Sequence, residues 1–247
     1  MVDIIVIFIV MLVIFFILFR LRKALFLLGL FFKIFSILII LLVVGSIVFS
    51  YYIIKDANNF KNNFTNSSNL FLMKQKVNGT DSLLAGVTIN PNNKAFQSLN
   101  KESIDNLQKM YTEGKLQLME KDYYKIFVID IKSLDNISLY NITDRNVQLT
   151  KEETKRVLSS SNAREEFSSI VAAKQGTDKN SVLKTLSASN EELKGYLFSY
   201  YLSTVFNPKN MGEFLLQLKN DNIKVYDETA LFTAIKLVPK SLIDKLI

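Results

Sequence analysis

Two apolar stretches, residues 4–19 and 24–54, open this 247-residue chain, and only Arg20-Leu21-Arg22-Lys23 separates them. A helix needs about 20 apolar residues to cross a bilayer, and the second stretch exceeds that even when counted from Ile34. The sequence therefore predicts a transmembrane hairpin over residues 1–55, with spans at 4–19 and 34–54.

Charge sets the orientation. Basic residues near membrane ends prefer the cytoplasm, and Arg20, Arg22, Lys23 and Lys33 cluster around the bend. Both termini are then expected outside the cytoplasm of a multi-pass protein of the cell membrane. A Lys at the bilayer centre costs about 2.5–3.5 kcal/mol, so the second span begins after Lys33, which snorkels to the inner headgroups. Residues 34–54 at about 1.5 Å per residue cover roughly 31 Å, the hydrocarbon thickness. Residues 24–32 form an apolar segment on the cytoplasmic side that needs lipid or protein against it. Gly45, Ser46 and Ser50 make a small-residue face compatible with a homo-oligomer. Apart from Lys33 at one edge the spans carry no ionisable residue of the kind that marks a transport pathway, so the hairpin reads as an anchor.

Of the net charge of +7, +4 is reached by Lys55, leaving +3 for the remainder, where Lys and Arg alternate with Glu and Asp. That distribution argues against nucleic acid as a partner. With no Cys the chain has neither disulfides nor thiolate metal sites, and with no His it lacks the commonest general base and metal ligand.

Residues 56–69, rich in Asn and Ser, read as a polar neck, with Phe60 and Phe64 spaced to share one helical face. Residues 70–247 are expected to form one α+β domain, a small antiparallel sheet with several packed helices. Two apolar runs flank Asn78-Gly79 and predict a β-hairpin. Residues 101–113 carry Ile104, Leu107, Met110 and Tyr111 on one helical face, and the run Ile126-Phe127-Val128-Ile129 has the character of a central strand. Capping boxes at Thr150/Glu153 and Ser189/Glu192 open helices at 151–159 and through Phe206, and shorter helices are expected at 163–174, 179–186, 211–219 and 228–238. Residues 223–226 form an edge strand and the closing Leu and Ile residues a last turn.

Chemistry is sparse. Asp130 ends an apolar strand, as the Mg²⁺-holding Asp of nucleotide hydrolases does, but the phosphate loop that such a site requires is missing. Glu113, Glu120, Asp122 and Asp130 are interleaved with Lys115, Lys121, Lys125 and Lys132, a pattern typical of surface charge. Five N-x-[ST] triplets, at Asn63, Asn66, Asn78, Asn136 and Asn141, are candidate N-glycosylation acceptors, in a chain whose Asn, Ser and Thr content produces several by chance. The aromatic residues Tyr196, Phe198, Tyr200, Tyr201, Phe206 and Phe214 read as a core helix, any exposed part of which would be the first place to look for a protein or lipid contact.

These features predict a membrane-anchored, extracytoplasmic, non-enzymatic domain, an accessory or assembly subunit whose partners are the bilayer and another membrane or envelope protein. No cofactor is called for, and no catalytic, cofactor-binding or metal-ligating residue is nominated. The alternative is a membrane-tethered enzyme using the carboxylates and lysines of residues 113–132.

Overall fold

A computed structural model describes residues 33, 35–64, 66–136, 139–142, 147–207 and 210–243. It divides into two compact units, Met1–Tyr52 and Ile53–Ile247. One helix, α1 (Phe35–Asn63), is long and apolar enough to cross a membrane by length and composition. The expected first span, the segment 24–32, and Arg20, Arg22 and Lys23 all lie outside the described residues, among which α1 is the one such helix. Lys33 is helical and exposed.

The second unit is an α+β fold. Its strands are β1 (Asn69–Val77), β2 (Thr80–Ile89), β3 (Phe96–Ser98), β4 (Lys125–Asp130), β5 (Leu139–Ile142), β6 (Val147–Thr150) and β7 (Ile223–Tyr226). Its helices are α2 (Lys101–Thr112), α3 (Lys151–Ser159), α4 (Ala163–Gln175), α5 (Lys179–Thr185), α6 (Asn190–Val205), α7 (Met211–Lys219), α8 (Ala230–Leu237) and α9 (Lys240–Ile243). Five strands form one sheet in the order β3-β2-β1-β4-β7, and β5 and β6 make a separate pair.

The five-stranded sheet is mixed rather than antiparallel as expected, because β1 and β4 run parallel. The reason is the connection between them. After the β1–β2 hairpin the chain forms β3, then crosses back through α2, a link long enough to return β4 in the same direction as β1. An alternation of apolar residues shows which faces of a strand are buried, not which neighbour it pairs with.

Both faces of the central strands are covered. Leu70, Leu72, Ile126 and Val128 pack with Ile104, Leu107 and Leu116 of α2 and the 3-10 turn that follows it. Phe71, Met73, Phe127 and Ile129 point the other way, into a larger core shared with α3, α4, α6 and α7. At the hairpin tip Asn78 and Gly79 both have positive φ, 49° and 85°, the two-residue turn that matches strand twist.

The segment read as a polar neck continues α1 as far as Asn63. Phe60 and Phe64 leave the polar face and join the larger core. The Phe64 ring stacks on Phe206 at 5.3 Å and meets Phe127 edge-on at 5.9 Å, while Phe60 meets Phe232 at 5.5 Å.

Candidate functional site

A concavity of about 660 Å³ lies between β3, α6 and the loop that joins α5 to α6. Glu192, Tyr196 and Ser199 form one stripe of α6 along it, spaced at helical i, i+4 and i+7. Phe96 and Ser98 of β3 form the facing wall, Thr185, Leu186, Ser187 and Ala188 close one end, and Phe167 and Leu193 contribute the apolar floor.

Local sequence explains the shape. Gly195 lets α6 lie close to β3, since a Cβ there would sit 2.0 Å from Ser98 Oγ and 2.5 Å from its Cβ. Ser189 and Glu192 form the capping box that starts α6, with Ser189 N–H donating to the Glu192 carboxylate at 2.7 Å and Glu192 N–H to Ser189 Oγ at 3.1 Å. Arg164 of α4 ties down the same loop: its guanidinium donates to Leu186 O at 2.6 Å, and its backbone N–H to Asn190 Oδ1 at 2.9 Å.

Glu192 is the one carboxylate among the groove's lining residues. The backbone N–H and then the hydroxyl of Ser189 hold its carboxyl below the usual glutamate range. The rest of the lining is rings, hydroxyls and aliphatic carbon. Tyr196 is 40% exposed, the exposed part of the aromatic helix that the sequence singled out.

A second, shallower depression of about 420 Å³ lies at the hairpin end of the sheet, lined by Gly79, Thr80, Asp81, Tyr111, Thr112 and Tyr226. Beside it Lys74 of β1, its side chain 11% exposed, donates to Asp81 Oδ2 at 2.8 Å and lies 3.8 Å from Asp130. Tyr111 OH donates to the same Asp81 oxygen at 2.8 Å. Burial alone pushes the Asp81 carboxyl up, but the hydrogen bonds from Lys74 and Tyr111 outweigh it and hold it below the ordinary aspartate value. Burial, reinforced by Asp81, drives the Tyr111 phenol up. A third, small cavity of about 150 Å³ is lined in part by Asp56, Asn63, Tyr124 and Asp227. There Lys125, 3% exposed at its side chain, donates to Asp227 Oδ2 at 2.6 Å and to Asp227 O at 2.7 Å. Both lysines are closed into ion pairs.

The carboxylates of residues 113–132 are not brought together. Glu113 pairs with Lys115 at 2.7 Å on the surface, a contact that keeps it below the usual glutamate range, and Glu120 and Asp122 are exposed. Asp130 alone joins a cluster, with Lys74 and Asp81, neither of which sequence reasoning nominated. Its Oδ1 accepts Lys132 N–H at 3.0 Å, a turn-forming contact at the strand end. Among the described residues no three Asp, Glu, His or Cys side chains are placed to hold a metal. Asn63, Asn66 and Asn78 are exposed, at the end of α1, in the turn after it and at the hairpin tip; Asn136 ends the 3-10 turn after β4 and Asn141 lies in β5.

No family model, no curated protein and no solved structure matches this chain.

Proposed function

We propose that this protein is a non-enzymatic accessory or assembly subunit, anchored in the membrane and holding a partner protein there through the groove between β3 and α6. The observation that carries this reading is the chemistry of the groove, whose single carboxylate caps a helix while Tyr196, Ser98 and Ser187 are exposed along it. In this reading the spans 4–19 and 34–54 form a hairpin whose basic bend, Arg20, Arg22, Lys23 and Lys33, stays in the cytoplasm, so the domain hangs on the outer side.

Two measurements test it. A photo-crosslinking amino acid at Tyr196, in the full chain at native abundance in intact membranes, should give a discrete protein adduct; the same group at Lys109, on the α2 face, should not. Absence of the Tyr196 adduct, or adducts with lipid alone, would remove the interaction role. Protease added to intact cells should digest residues 66–243 while leaving the span 34–54 protected, and full protection of the domain would reverse the topology.

A further inference from the structure

β3 is the edge strand of the five-stranded sheet, and its hydrogen-bonding parity is fixed by its neighbours. Leu99 N–H donates to Gly86 O at 2.9 Å and Asn90 N–H to Ala95 O at 3.0 Å, in register with the pairing of Thr88 opposite Gln97. Backbone polarity alternates along an antiparallel strand, so the Ala95 C=O, the Gln97 backbone and the Leu99 N–H turn toward β2, and Phe96 and Ser98 turn their N–H and C=O groups away. These outward groups repeat every second residue, about 6.6–6.8 Å apart, the spacing of an incoming extended chain. Phe96 and Ser98 are also the two β3 residues that line the groove.

The same side of the sheet is treated differently one strand further in. Where β2 runs past the end of β3, Gln108 of α2 covers its outward groups, accepting from Leu83 N–H at 2.6 Å and donating to Asp81 O at 3.1 Å. Among the described residues there is no such cover along β3. The segment Ala95-Phe96-Gln97-Ser98-Leu99 carries no charge and no proline, the usual devices that blunt an edge, and Gln97 and Ser98 are exposed.

We propose that the partner supplies an extended peptide segment that adds to the sheet alongside β3, pairing with the backbone of Phe96 and Ser98 and placing alternate side chains in the groove beside Tyr196. The proposal rests on the interaction reading above and names the chemistry of its partner. β3 has three residues, so the paired stretch is short, and specificity comes from the groove. Glu192 stays ionised in its cap and exposed at the lining, and the rest of the lining is uncharged, so the inserted side chains are small or medium-sized and neutral, or basic where they reach Glu192.

The test uses a displayed library of linear random peptides, selected on the full chain in detergent micelles and counter-selected on Ser98→Pro. Proline is tolerated at an edge position whose N–H faces solvent, and it blocks strand addition. Enriched peptides should lose at least tenfold in affinity for the Ser98→Pro chain. Backbone N-methylation of the best peptide should weaken binding at least tenfold at every second position and leave the intervening positions unaffected. That second readout needs no protein variant, so it holds even if Ser98→Pro misfolds. A flat N-methyl scan, a three-to-four-residue periodicity, or failure to enrich any peptide dependent on the β3 edge would overturn strand addition. The Tyr196 crosslink would still stand or fall independently, which separates loss of this mode from loss of the interaction role.

Discussion

Lys74 shows what a single side chain can decide in this domain. It lies on β1 among apolar neighbours, and its charge is balanced by Asp81 across the hairpin, with Asp130 nearby. A lysine so little exposed is tolerated only while its partner is present, because an uncompensated charge is expensive to keep from water. The folded-state pKa of Asp81 is depressed, so the stability this carboxylate contributes is present above its unfolded value of about 3.9 and is lost as pH falls through the lower folded value. Asp81→Asn should therefore destabilise the domain by about 1–2 kcal/mol at pH 7, in line with a weakened charged hydrogen bond. The gap to the unsubstituted chain should begin to narrow below about pH 4 and shrink further as pH falls through the lower folded value. Urea unfolding of both chains at pH 3 and pH 7 measures this; a gap independent of pH would assign the effect to something other than the Asp81 charge.

The hairpin made by β1 and β2 carries a bulge that organises one of the helices. Register shifts between Met73 and Lys74, where Met73 faces Ala85 and Lys74 faces Leu83, so Leu84 is the extra residue. Gln108 of α2 then takes up the outward backbone groups of Leu83 and Asp81. Gln108→Leu should leave both groups unpaired and cost about 1–3 kcal/mol, with the Leu83 amide exchanging faster by hydrogen-exchange NMR than in the unsubstituted chain. Wherever the signal was local, the elements were legible in sequence: Asn78-Gly79 for the hairpin, the unbroken apolar run for β4, and the two capping boxes for α3 and α6. β3, too short for any periodicity, was not. Nor was the parallel pairing of β1 with β4, which depends on residues more than fifty positions apart. The groove was hidden for the same reason, its walls coming from Phe96 and Ser98 on one side and from residues 185–199 on the other. Gly195 inside an aromatic helix was the one local trace of close packing there, and its meaning is visible only beside Ser98.

For the protein as a whole, the feature with the widest reach is the aromatic cluster in which Phe64 and Phe60 of the α1 segment meet Phe71, Phe127, Phe206 and Phe232. Phe71 and Phe127 lie stacked at 4.9 Å on adjacent parallel strands, and Phe206 and Phe214 continue the cluster at 4.8 Å. Because Phe64 is half-buried rather than enclosed, Phe64→Ala should cost about 2–3 kcal/mol, below the roughly 3–5 kcal/mol of a fully buried phenylalanine. Thermal unfolding of the domain should record that loss, and amides of residues 60–64 should exchange faster; unchanged exchange there would mean that α1 ends independently of the core. The placement of those two rings also governs where this polypeptide tolerates being shortened. A protease or a cloning boundary that severs it at residue 65 would strip both phenylalanines from the interior and leave an oily wound on the released fragment, prone to clumping, whereas a cut ahead of Ile53 would carry them along and yield a fragment that stays dispersed in water.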